Sequence, residues 1–204
     1  MRGVDVLMGN GIWMVWNTIL ALIPLVFAVF LFAGDRRHHR VHWWLGVVVF
    51  VAFLPNGPYV ITDLMHLRGD YAALQGDQST RLLLALQYAV FVLIGVAAYA
   101  GSLELLRRYV RARGWSKSRA LGLELVLHAL CSVGVLLGRF ARFNSWEIGT
   151  RPGDILDHAT SRLDRPGSWL LLFTTFAVIA SATGLLRLVG SGFGHLRDGI
   201  DSRT

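Results

Sequence analysis

The chain has 204 residues, of which 54% are hydrophobic and 16% are charged. Charged residues usually make up about a quarter of a soluble domain, so the composition excludes a water-soluble globular protein. The formal net charge of +7 would suit nucleic acid, but the basic residues lie beside apolar stretches and not on a soluble surface, which argues against nucleic acid as a partner.

The apolar residues fall into five blocks, each near the roughly 20 residues that a helix needs to cross a bilayer. We therefore predict an all-α integral membrane protein, a bundle of about five transmembrane helices in a single membrane domain over residues 1–204. Membrane lipid is its expected surrounding partner. The predicted spans are 12–33, 43–64, 81–104, 120–143 and 168–190.

Span two contains two prolines and a glycine between Leu54 and Tyr59. Proline lacks a backbone donor and crowds the carbonyl four residues earlier, so we predict that the helix breaks at Pro55–Pro58. Backbone freed at membrane depth must be buried in protein or face a watery cavity. Asp63 and His66 follow three residues apart, on one face if the helix resumes after Pro58.

Span four has polar side chains in both halves. Glu124 and His128 lie four residues apart on one helical face, a spacing that favours a structural hydrogen-bonded pair over a proton relay. Arg139 and Arg142 lie three residues apart near the end of the span. In the loop that follows, residues 144–167, we expect a short interfacial helix.

The distribution of Lys and Arg predicts the orientation. Twelve of the twenty lie after span one, after span three, and in the last turn of span five or after it, and basic loops are retained in the cytoplasm. We predict a multi-pass protein of the bacterial cytoplasmic (inner) membrane, with its N-terminus outside and its C-terminus in the cytoplasm.

In this topology spans two and four both run outward, so their polar ends reach the outer interface together. Intramembrane polar groups tend to face a bundle interior or a cavity, and Asn17 and Gln87 lie in the outer thirds of spans one and three. The candidate binding residues are Asn56, Asp63, His66, Arg139, Arg142, Asn144, Trp146 and Glu147.

Three stretches carry a resemblance to a known family. They are the Trp16-Asn17 start with Leu20 to Pro24, the Leu54 to Leu67 stretch around the two prolines, and Gly138 to Trp146. Together they resemble the bacterial membrane family labelled domain of unknown function 1361, over most of the chain. The resemblance implies a membrane location and a shared outer motif, and it implies no established activity.

We interpret the outer residues first as a binding site for an anionic lipid headgroup or phosphate. Arg139 and Arg142 share a helical face flanked by Phe140 and Phe143, and a guanidinium makes forked contacts with phosphate. The exposed amide groups of the broken helix would assist.

Two alternatives belong to other functional classes. Asp63, His66 and Glu147, with Asp154, Asp157 or His158, would hold a divalent metal as cofactor in a hydrolase acting on a lipid-linked or periplasmic substrate. Alternatively, small residues at Ala97 and Gly101 would pack against a membrane-protein partner or a second copy in a homo-oligomer.

Overall fold

The computed structural model describes residues 2–34, 41–74, 77–141 and 166–201, together with 150, 151, 153, 154, 157 and 161. Its long elements are all α-helices. They are α1 (Arg2–Phe32), α2 (Val41–Phe53), α3 (Asn56–Thr62), α4 (Leu64–Ala73), α5 (Gln78–Ala112), α6 (Lys117–Ala141) and α7 (Pro166–Asp201).

Within the described residues, five helical stretches are long and apolar enough to cross a membrane, and this confirms the predicted five-span helical fold. The helices extend beyond the predicted spans because helical hydrogen bonding continues through polar turns that an apolar window leaves out. Span one begins ten residues earlier than predicted, at Arg2, and α5 continues through Arg107 and Arg108. The candidate spans are Gly3–Phe32, Val41–Ala73, Gln78–Ala112, Lys117–Gly138 and Gly167–Leu188.

The second span is interrupted at Leu54 and Pro55, which overlaps the predicted break at Pro55–Pro58 only at Pro55, because helix already resumes at Asn56. Pro58 lies in the first turn of α3, where its missing N–H is tolerated. The Leu54 carbonyl, which Pro58 cannot serve, accepts from Gly57 N at 3.3 Å, and Asn56 Nδ2 donates to the Phe53 carbonyl at 2.9 Å. These two carbonyls, which have no regular helical donor at the interruption, therefore accept hydrogen bonds from nearby donors.

The helix is interrupted a second time at Asp63, where the sequence has no proline or glycine to indicate a break. Asp63 keeps right-handed helical backbone angles, with φ −72° and ψ −14°. Its N–H donates to Val60 O at 3.2 Å, three residues back instead of four, so the chain tightens by part of a turn. This turn joins α3 to α4 and leaves them as one nearly continuous helical unit.

Cross-helix contacts fix the direction of every span. We call the end of the bundle where α1 begins the proximal end and the other the distal end. Gln87 of α5 bonds to Leu7 of α1, and Gly101 lies against Leu25 further along both helices, so α1 and α5 run in the same direction. The unit α3–α4 runs opposite to them, because Gly57 contacts Tyr99 whereas Asp70 contacts Tyr88.

The remaining helices follow the same alternation. Tyr99 of α5 bonds to His128 of α6, while Arg107 and Glu124 line one small cavity nearer the distal end, so α6 runs opposite to α5. Helix α7 returns beside α6, with Arg187 against Glu124. Helices α3 and α6 therefore both run toward the proximal end.

Glycines bring the interrupted span close to its neighbours. A methyl group added at Gly95 of α5 would lie 2.5 Å from Val60 Cγ2 and 3.0 Å from the Gly57 carbonyl oxygen. One added at Gly134 of α6 would lie 2.7 Å from Pro55 Cγ. The interruption is thus covered by α5 on one side and by α6 on the other.

We predict that Gly95→Ala lowers the free energy of unfolding by about 1–3 kcal/mol, because the added methyl group overpacks the contact with Val60. The matched control is Gly122→Ala on α6, where a methyl group meets nothing within 4 Å and the change should stay below about 1 kcal/mol. Unfolding by SDS titration from mild detergent measures both. Equal effects of the two substitutions would contradict the close packing.

Candidate functional site

Near the proximal end, α1 and the α3–α4 unit face each other through six side chains, which we call the polar ladder. The two helical segments are antiparallel, so each residue of one meets a residue of the other at the same depth. Asn10 Nδ2 donates to Asp70 Oδ2 at 2.7 Å, the Trp13 and His66 ring centroids lie 5.8 Å apart, and Asn17 Nδ2 donates to Asp63 Oδ2 at 3.1 Å.

The spacing of these residues explains why they meet. On each segment the three positions are separated by three and then four residues, which places them on one helical face. The sequence pattern indicated Asn17, Asp63 and His66. It did not indicate Asn10 and Asp70, because the predicted first span began at residue 12 and the predicted second span stopped at residue 64. The three-then-four spacing of Asp63, His66 and Asp70 was the available signal, and it required a helix that continues as α4.

Helix α5 adds a third side to the polar ladder. Tyr88 donates its hydroxyl to Asp70 Oδ2 at 2.7 Å, so this half-buried carboxylate accepts from both α1 and α5. The Trp13 ring packs edge-on against Phe91 at a centroid distance of 5.6 Å, and its Nε1 donates to Asn10 Oδ1 at 3.2 Å. Asp70 therefore connects three helices, and Tyr88 was not among the residues predicted from the sequence.

Asp63 is the most enclosed carboxylate of the polar ladder, with 3% of its surface exposed. A charge in such surroundings needs hydrogen bonds and an opposite charge nearby. Pro55 lies against Gly134, and α3 and α6 run in the same direction. Seven residues beyond each contact lie Thr62 on one chain segment and Ala141, the last residue of α6, on the other, so the end of α6 approaches the depth of Asp63.

The other predicted site residues divide into two groups. Asn56 lies at the interruption, where its amide nitrogen bonds to a backbone carbonyl, and His66 is exposed. The backbone of Arg139 belongs to the last turn of α6, whereas its side chain lies outside the described part. Also outside the described residues are Arg142, Asn144, Trp146 and Glu147, with most of the loop in which we expected an interfacial helix.

The predicted metal ligands lie only partly within the described residues. Across the described residues, no group of three or more His, Cys, Asp or Glu side chains is placed to hold a metal ion. Asp63 and His66 lie on successive turns at the junction of α3 and α4, and Glu147 lies outside this part of the chain.

A second polar cluster, the ion network, lies between the middle of the bundle and its distal end. The Glu124–His128 pair predicted from the sequence is in contact, with His128 Nε2 3.5 Å from Glu124 Oε1. On the opposite side of the imidazole, the Tyr99 hydroxyl lies 2.7 Å from Nδ1. The ion network thus begins on α5 and crosses α6.

Helix α7 supplies the cation of the ion network. Arg187 Nη1 lies 2.7 Å and 2.9 Å from the two carboxylate oxygens of Glu124, and its Nε lies 3.6 Å from Glu104 Oε2. Thr183, one turn earlier, lies 3.5 Å from His128 Nε2. The guanidinium group bonds to both carboxylate oxygens of Glu124. The ion network therefore connects α5, α6 and α7, and its role is structural.

Five apolar helices, a proline-interrupted second span and polar side chains satisfied between helices define a polytopic α-helical membrane protein. The chain belongs to the family described as Protein of unknown function (DUF1361), which it matches over residues 16–181. This match confirms the resemblance of the three sequence stretches. Neither the curated proteins nor the solved structures include a significant match to the chain. The matched range contains the interrupted span and the end of α6.

We predict that Arg187→Leu lowers the free energy of unfolding by about 3 kcal/mol, because it leaves Glu124 buried without its cation. Replacing both residues with leucine should recover at least part of this loss, since no unpaired charge remains. Arg108→Leu, an exposed arginine that pairs with Glu104, is the control and should change the value by less than about 1 kcal/mol. A double-mutant cycle, measured by SDS titration, gives the coupling energy between Arg187 and Glu124. Strictly additive losses of stability in the single and double variants would contradict this coupling.

Proposed function

We propose that this protein binds an anionic group, the phosphate of a lipid headgroup or free phosphate, at a polar site on the outer face of the bacterial cytoplasmic membrane. In this proposal the N-terminus is outside, so that the proximal end faces outward, and the C-terminus is cytoplasmic. The observation that supports it is the register of α3 against α6, in which the last turn of α6, with the backbone of Arg139, approaches the depth of buried Asp63.

The charges near this position favour an anion. Asp63 contributes one negative charge, and Arg139 with Arg142 contributes two positive charges, so the three side chains carry a net charge of +1. Asp63 would orient the guanidinium groups, and their remaining N–H donors would be directed toward the ligand. Planar guanidinium groups bind phosphate through paired hydrogen bonds, which is why arginine suits this role.

The other candidate residues would complete the site. Asn144 adds a neutral donor, and Trp146 adds a ring suited to headgroup depth. His66, exposed beside Trp13, and Glu147 would lie at the water-facing edge. The side-chain amide of Asn56 bonds to a backbone carbonyl at the interruption. Asn56 would in this way position α3 and therefore Asp63.

The orientation gives a direct prediction. Because Cys131 is buried in the bundle, the protein should give little background with a membrane-impermeant maleimide. Gly69→Cys on α4 and Asp154→Cys in the loop after α6, both exposed, should be labelled in intact cells. Lys117→Cys, at the start of α6, should be labelled only after the membrane is permeabilised.

Labelling of positions 69 and 154 from opposite faces would exclude a shared site for Asp63 and the arginines. Labelling of position 117 alone in intact cells would reverse the orientation and place the site on the cytoplasmic face, against the proposal.

The ligand gives a second prediction. Purified full-length protein in mild detergent is titrated with phosphatidylglycerol and, separately, with inorganic phosphate, and occupancy is followed by native mass spectrometry. Arg139→Gln and Arg142→Gln should each weaken binding roughly tenfold or more, because each removes charged hydrogen bonds to phosphate. Arg151→Gln, an exposed arginine in the following loop, is the control and should bind as the wild type does.

Two results would overturn this function. Unchanged binding in both arginine variants would remove the proposed ligand contacts. The second result is that the purified protein retains a divalent metal which a chelator removes. If Asp63→Asn and His66→Gln lose this metal and the arginine variants keep it, the metal-dependent alternative would replace anion binding.

A further inference from the structure

A separate cavity opens at the proximal end between α4 and α5, away from α6. Its volume is about 300 Å³, and one wall comes from α4 while the first two turns of α5 supply the rest. The lining combines one cation, an aromatic ring, two neutral polar side chains and two apolar ones. The lining residues are Tyr71, Gln78, Ser79, Arg81, Leu82 and Ala85.

Arg81 is the charged group of this cavity, and its hydrogen-bonding capacity is incompletely used. Its guanidinium carbon lies 4.5 Å from the centre of the Tyr71 ring, an arrangement that holds the planar group in place. Its Nε is buried and has no hydrogen-bond partner, and none of the ion pairs between described residues involves Arg81. A charged donor left without an acceptor is unfavourable, so an acceptor from outside the chain would stabilise it.

The nearest carboxylate in sequence, Asp77, is engaged elsewhere. Thr80 donates its hydroxyl to Oδ2 and its backbone N–H to Oδ1, at 2.5 Å and 3.0 Å, which caps the start of α5. These bonds, the hydroxyl bond foremost, hold the pKa of Asp77 below its usual value. Asp77 is exposed to water and directed at its own helix, so it leaves the guanidinium of Arg81 available.

The apolar side of the cavity continues onto the lipid-facing surface of α5. Leu82 is 72% exposed and Leu86, one turn deeper, is 58% exposed. A ligand with its phosphate on Arg81 could therefore extend an acyl chain along these leucines, while Gln78 and Ser79 face its polar part. Both a phospholipid and free phosphate offer the acceptor that Arg81 lacks.

We infer that Arg81, stacked on Tyr71, forms a second anion site between α4 and α5 that binds a phosphate-bearing ligand, independently of the arginines at the end of α6. The site does not rest on the proposed function. It involves different helices and described side chains, and it has its own cavity.

The test counts bound ligands on the purified full-length protein by native mass spectrometry, with phosphatidylglycerol in one series and inorganic phosphate in another. Arg81→Gln should weaken one binding event roughly tenfold or more. Arg68→Gln removes the same charge from an exposed position on α4 and should leave binding within roughly twofold of wild type. Binding of phosphatidylglycerol alone identifies a lipid as the source, and binding of both identifies phosphate itself as sufficient.

Arg81→Lys provides a second variant that retains the charge. It loses the planar fork and the stacking on Tyr71, so its affinity should fall between those of wild type and Arg81→Gln. Wild-type affinity in both Arg81 variants would overturn the inference, and so would an equal loss in Arg68→Gln, which would indicate attraction to charge alone.

The number of ligands that each variant still binds distinguishes the two anion sites. Arg139→Gln/Arg142→Gln should keep the binding event that Arg81→Gln loses, and Arg81→Gln should keep the one lost in the double variant. If the double variant abolishes all binding and Arg81→Gln abolishes none, only the inference about Arg81 fails. The reverse result leaves the Arg81 site intact and removes the proposed function.

Discussion

The architecture depends on the contact between the interrupted second span and the two helices that cover it. Backbone that departs from regular helix inside a membrane must be satisfied and shielded by protein, and here Gly57 meets Gly95 on one side while Pro55 meets Gly134 on the other. Contacts this close allow little sliding of one helix along another. They therefore set the register of α3 against α5 and α6, and from that register follow the depth of Asp63 and its relation to the end of α6.

Polar side chains within the bundle serve mainly to connect helices. Asp70 accepts from Asn10 and Tyr88, and Glu124 accepts from Arg187, so each carboxylate joins elements that are distant in sequence. Arg81 differs from these, because its guanidinium stacks on a ring and takes part in none of the ion pairs between described residues. Charged groups that bond to another helix are structural in this fold, whereas a charged group without such a bond is a candidate ligand contact.

The local features of the fold could be predicted from the sequence. Composition predicts five spans, the prolines predict the interruption, and four-residue spacing predicts the Glu124–His128 contact. Partners across helices could not be predicted, because Asn10–Asp70 and Glu124–Arg187 depend on a register that side-chain packing sets. The tightened turn at Asp63 has no proline or glycine to mark it. Part of the candidate site, including Glu147, lies beyond the described residues, so its geometry stays a prediction.

The ion network has a consequence for the order in which the chain is synthesised and inserted. Spans leave the ribosome from the N-terminus onward, so the interrupted span enters the bilayer before α5 and α6 exist to cover it. Glu124 likewise enters with α6, sixty-three residues ahead of Arg187, the cation that contacts both of its oxygens. Until α7 is made, Glu124 lacks the cation that contacts both of its oxygens, and an unpaired charge is unfavourable in a bilayer. Insertion of α7 therefore completes the assembly by supplying Arg187.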